Sequence, residues 1–133
     1  MKQPVFYLKL APIDPRSIMQ GDYMVLNYEI TDKALRDIRN GVFINKGYLN
    51  IKIDKNGVGE YTGISTAPVN DDNKNIVSAY FTFNGMEIDI NINSYMFQEG
   101  DGEYYSKAEY AQVTLVKNKL RLKKLTDKDF KVL

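Results

Sequence analysis

Period-two alternation dominates this sequence, and a chain that alternates apolar and polar residues can bury one face of each stretch only by pairing it with others. In "MEIDINI" Met86, Ile88, Ile90 and Ile92 fall on one side and Glu87, Asp89 and Asn91 on the other. In "YLNIKID" Leu49, Ile51 and Ile53 alternate with Tyr48, Asn50 and Lys52. Turn residues punctuate these stretches: "DKNG" at 54–57, "NG" at 84–85 and "KNK" at 117–119. Asn-Gly is a strong hairpin signal because both central residues of a type I′ turn need positive φ. The expected hairpins pair 48–53 with 58–64, 76–83 with 86–92, and 111–116 with 120–125. Stretches 5–10 and 23–30 bring the total to about eight strands.

One segment breaks the alternation. In "TDKALRDIRNG" Thr31 is placed to cap a helix, Asp32 lies in its first turn, Arg36 and Arg39 near its end, and Asn40-Gly41 after it. Those positions suit the helix dipole and its terminal backbone groups. Leu35, Ile38 and Val42 supply an apolar stripe, and a second helical turn is expected within 103–111. The predicted fold is mainly β, an antiparallel sandwich or small barrel of about eight strands with one or two short helices. All 133 residues are expected to form one domain, a length that can bury roughly two thirds of its unfolded surface.

Composition narrows the chemistry more than it suggests a function. The chain has no cysteine, histidine or tryptophan, and its formal net charge is +1. Disulfides are impossible, thiolate or imidazole metal sites are excluded, and no histidine can serve as general base. The balanced charge points to no nucleic-acid partner. No cofactor is expected. The acidic loops "NDDNKN" at 70–75, "DKNGVGE" at 54–60 and "EGDGE" at 99–103 carry oxygen ligands, but none has the spacing of a calcium loop, and solvated turns explain them, so no metal site is assigned. The N-terminal apolar run, Val5 to Leu8, is too short for a membrane span or a signal h-region, so the chain as given is expected to be soluble.

"PIDPRSIMQGDYMVLNY", residues 12–28, resembles the signature of the bacterial family named for Gly-Asp-Tyr-x-x-Leu-x-Tyr, in which a Val-Asp-Pro-Arg stretch precedes that octet. Asp14, Pro15 and Arg16 match, as do Gly21, Asp22, Tyr23, Leu26 and Tyr28. A second family stretch, Arg-Tyr-aromatic-x-Pro-Glu-Gly, is similar to "SYMFQEG" at Tyr95, Glu99 and Gly100. Ser94 stands where the family has arginine, and Gln98 where it has proline. The resemblance implies a domain on the extracytoplasmic side of the bacterial cell envelope. It also implies a membrane-protein partner, or a membrane segment of the protein's own preceding Met1.

Alternation divides the octet. Met24, Leu26, Tyr28 and Ile30 share the more apolar side and are expected in the core, with the Tyr28 hydroxyl reaching a partner at the rim. Gly21 and Asp22 suit a turn, and Tyr23 is the member expected to be exposed to a ligand. Arg16 can clamp Asp22 or Glu99 and so tie the two signature stretches together, or it can present its guanidinium to an anionic ligand. Asp14, Arg16, Asp22, Tyr23, Tyr95 and Glu99 are thus the binding or clamp candidates. Tyrosines 104, 105 and 110 form a further aromatic group, suited to a protein contact or to a core lid.

Three functional readings follow. The first is a binding or interaction domain of a membrane-associated protein, without a catalytic constellation. The second is a signal-peptidase-like hydrolase, possible because "PRSIMQGDYMVL" is similar to the serine-methionine and Gly-Asp-x-Val-Leu pattern of those enzymes. Ser17 would be its nucleophile, although Ile18 separates Ser17 from Met19 and no lysine occurs in a matching downstream context. The third is a structural coupling domain in a membrane complex. The basic tail from Lys117 onward suits an edge hairpin whose lysines discourage edge-to-edge pairing, or a surface resting on anionic lipid.

Overall fold

The fold is described from a computed structural model covering residues 4–12, 23–41, 44–97 and 100–133. Among these residues nine strands form three antiparallel sheets, and no barrel closes. The first sheet joins β1 (Val5–Lys9), β8 (Tyr110–Val116) and β9 (Lys119–Thr126) in the order β1-β8-β9. The second is a pair, β2 (Tyr23–Val25) with β7 (Ser94–Met96). The third runs β4-β3-β5-β6, from β3 (Lys46–Ile53), β4 (Gly59–Ser65), β5 (Ile76–Phe83) and β6 (Ile88–Asp89). Two helices complete the fold, α1 (Glu29–Arg39) and the single turn α2 (Gly102–Tyr105), with a 3-10 turn at Asp72–Lys74.

One core serves all three sheets. Phe6 and Leu8 reach it from β1, Leu49 and Ile51 from β3, Phe81 from β5, Val113 and Leu115 from β8, and Met24 from β2. The two larger sheets meet at their margins through a few hydrogen bonds rather than ladders. The Tyr7 N–H donates to Gly57 O at 2.8 Å, and the Tyr80 N–H donates to Asn118 O at 2.7 Å. Gly59 lets β1 pack closely on the third sheet. A Cβ there would stand 2.6 Å from Ile51 Cγ2 and 3.0 Å from Leu8 Cδ2.

The three expected hairpins form, with two corrections. Only the turn between β8 and β9 has two consecutive residues at positive φ, Lys117 at 51° and Asn118 at 64°. At 54–57 and 84–85 the glycine alone takes positive φ, and an Asx side chain brackets the turn instead. Asp54 Oδ1 accepts from the N–H groups of Asn56 and Val58, and Asn84 Oδ1 from those of Met86 and Glu87. The β5–β6 ladder is also shorter than expected, with two rungs, Thr82 opposite Asp89 and Phe83 opposite Ile88. Asn91, at φ 73°, turns the chain away from β5. Ile88, Ile90 and Ile92 are nonetheless buried, whereas Met86 is 77% exposed because it sits in the turn.

The helix begins earlier than its polar residues suggest. Tyr28 is the extended residue before α1, and no side chain caps the helix. Thr31 lies inside it, donating its hydroxyl proton to Tyr28 O at 2.8 Å. The expected strand 23–30 therefore ends at Val25. Two periodicities overlap here: Met24, Leu26 and Tyr28 alternate as extended chain, and Ile30, Ala34 and Ile38 continue the buried face at a spacing of four. The i, i+4, i+8 series of Ile30, Ala34 and Ile38 was the signal for the true helix start.

Candidate functional site

The two signature stretches lie side by side. β2 and β7 pair in antiparallel register, Tyr23 opposite Met96, Met24 opposite Tyr95, and Val25 opposite Ser94. Beyond the ladder the contact continues, with the Leu26 N–H donating to Asn93 O at 2.8 Å. It ends at the core, where the Tyr28 hydroxyl donates to Ile92 O at 2.7 Å. The segments about seventy residues apart in sequence are thus joined by backbone pairing and one buried tyrosine. The expected link through Arg16 lies outside the described residues, as do Asp14, Ser17, Gly21, Asp22 and Glu99.

Sheet geometry sorts the remaining candidates by face. Met24, Leu26 and Tyr28 point inward and are fully buried. Burial raises the Tyr28 phenol above its ordinary value of 10.0, since a phenolate there would lose its water. Tyr23 and Met96 point outward from directly opposite positions, 50% and 71% exposed, beside Val25 at 49%. Ser94, opposite Val25, is exposed too.

Tyr95 is half-buried and starts an aromatic stack. Its ring lies 5.0 Å from that of Tyr105 in α2, which in turn lies 5.6 Å from Phe97 and 5.2 Å from Tyr104. Burial first, and the Tyr105 hydroxyl second, push the Tyr95 phenol up to about 12. Tyr95 is therefore a packing residue that fastens β7 to α2. The sequence cluster of tyrosines 104, 105 and 110 separates in space. Tyr110 stacks on Phe130 at 4.5 Å, and Phe130 also meets Tyr7 at 4.8 Å.

In two of the acidic loops an aspartate spends its carboxylate on backbone. Asp71 Oδ1 accepts from Asn73 and Lys74 at the start of the 3-10 turn, as Asp54 does in its own turn. Among the described residues no three carboxylates converge. A serine–lysine mechanism needs a lysine that burial holds neutral, and every described lysine is exposed.

The sequence model of the GDYXXLXY protein family matches residues 2–124. The chain belongs to the GDYXXLXY family. No curated protein and no solved structure matches it significantly. In this member Leu26 and Tyr28 of the family octet are core, and Tyr23 is surface. Sequence reasoning missed the partner of that surface, Met96, because β7 is three residues long, too short to show an alternation of its own. The match of two short motifs in the family's order was the available hint that they pair. A separate groove of about 1200 Å³ lies at the other end of the third sheet, beside the C-terminus of α1.

Proposed function

We propose that this is a noncatalytic interaction domain of a bacterial envelope protein, and that the outward face of the signature sheet meets a protein partner. The observation that carries the reading is the exposure of Tyr23 directly opposite Met96, with Val25 beside them. Burial accounts for the octet's Leu26 and Tyr28, but packing does not account for an aromatic residue left half in water. Tyrosine and methionine are enriched at protein interfaces, where a ring tolerates both burial and water and a thioether adapts to irregular surfaces. Family resemblance supports a partner in the membrane and an extracytoplasmic location. Among the described residues no helix is long and apolar enough to cross a membrane.

The test uses the full-length protein in its native membrane. Tyr23→Ser combined with Met96→Ser should abolish co-purification of the partner held by the wild type, while the melting midpoint stays within about 2 °C because both side chains are surface groups. Undiminished recovery of that partner by the double variant would refute the reading.

A further inference from the structure

We infer that the groove beside α1 is a binding site for an apolar anion, a hydrocarbon body bearing one acid group. Its walls are Ile38 from the last turn of α1 and Ile44 from the segment before β3. The groove wraps the end of the third sheet and takes aromatic residues from both faces: Tyr48 and Tyr80, directly opposite each other across β3 and β5, pack edge to face at 5.7 Å on the outer face, and Phe83 lies with Ile44 on the face of the buried Phe81. The groove is open to solvent, and its volume of about 1200 Å³ leaves room for a small-molecule guest, for which ~300–1,000 Å³ is typical.

Charge selects the guest. Arg39 and Lys46 both line the groove, and among the described residues none that lines it is acidic. Both are exposed, and neither is within ion-pair distance of a carboxylate among the described residues. A third cation stands close by, with Lys119 Nζ 5.9 Å from the Tyr80 ring centre. The C-terminal pole of α1 opposes an anion, but it is partly answered already: the N–H groups of Asn40 and Gly41 donate to Arg36 O, Asp37 O and Ile38 O. Arg36 and Arg39 in the last turn add positive charge. An apolar ligand with an acid head therefore gains from both the apolar lining and the cations beside it.

A peptide suits the groove less well. β3, an inner strand of the third sheet, pairs with β4 along one edge and β5 along the other, so its main chain has no free edge for an added strand. No residue of the signature strands lines the groove, which makes it independent of the face proposed above.

The experiment is a titration of the isotopically labelled protein with sodium dodecanoate, kept below its micelle-forming concentration and followed by amide chemical shifts. Saturable shifts are expected at Gly41, Asn45, Gly47 and Gly85. A dodecyl chain with a neutral maltoside head should bind more weakly, and one with a trimethylammonium head more weakly still. Arg39→Glu with Lys46→Glu should weaken dodecanoate binding about tenfold and remove its preference over the ammonium chain. If that pair disturbs the fold, Arg39→Gln with Lys46→Gln should give the same ranking with a smaller loss. The proposal is overturned by absence of saturable shifts at these amides, by equal binding of the anionic and cationic chains, or by charge variants that bind as the wild type does. An acidic peptide that saturates the groove where dodecanoate does not would also overturn it.

Discussion

Tyr28 shows how one residue of a signature can be diagnostic of a family without being a reactive group. Its ring is fully buried and its hydroxyl holds Ile92 O across 64 residues of sequence. Tyr28→Phe keeps the ring and removes that bond, so it should cost about 1–2 kcal/mol in denaturant unfolding, part of it from the carbonyl left unpaired. The same residue makes stability sensitive to alkali. Burial raises the phenols of Tyr28 and Tyr95, and burial together with the Asp37 carboxylate, which accepts the Tyr61 hydroxyl proton, raises Tyr61. The folded state holds these protons more tightly than the unfolded chain, whose tyrosines ionise near pH 10. Stability from this source is complete below about pH 10 and declines as pH rises above it. Unfolding midpoints measured from pH 8 to 11 should fall above pH 10, and Tyr28→Phe should fall less steeply than the wild type.

At the scale of elements, the sequence was legible where one periodicity ruled alone. β3 with β4, and β8 with β9, lie within two residues of their expected bounds, because alternation and turn residues agreed there. The boundary between β2 and α1 was misplaced because Tyr28 and Ile30 satisfy both the strand pattern and the helix pattern. Turn chemistry was legible in place but not in kind. Side-chain caps from Asp54 and Asn84 replaced the turn that Asn-Gly favours, while Lys117-Asn118 adopted it without a glycine. β7 left no periodic trace in three residues, and only its pairing with β2 defines it. Close packing between elements also escapes a linear reading, and Gly59 gives it a test. Gly59→Ala puts a methyl group against Ile51 and Leu8 and should destabilise the fold by about 1–3 kcal/mol in the same unfolding assay.

At the scale of the molecule, the three sheets contribute side chains to one core, and the two larger ones are tied at their margins by a few hydrogen bonds. Such a core should melt as one unit, so calorimetry should give a single transition with matching calorimetric and van't Hoff enthalpies. The family octet contributes in two directions at once: its inner side chains fill that core, and Tyr23 faces out beside Met96 and Val25. The mainly β class and the inward set Met24, Leu26 and Tyr28 were legible from alternation. The outward surface was only half legible, since Met96 joins Tyr23 through a long-range pairing.

The register of that pairing can be measured without interference, because the chain contains no cysteine. Tyr23→Cys with Met96→Cys places two thiols at directly opposite positions of β2 and β7. Tyr23→Cys with Ser94→Cys places them one diagonal apart, since Ser94 faces Val25, and a diagonal separation of ~7–8 Å is too long for a disulfide without backbone movement. Under mild oxidation of the folded protein, the first pair should close intramolecularly and the second should stay reduced. Closure of the second pair in preference to the first, or of neither, would contradict a signature sheet built in this register.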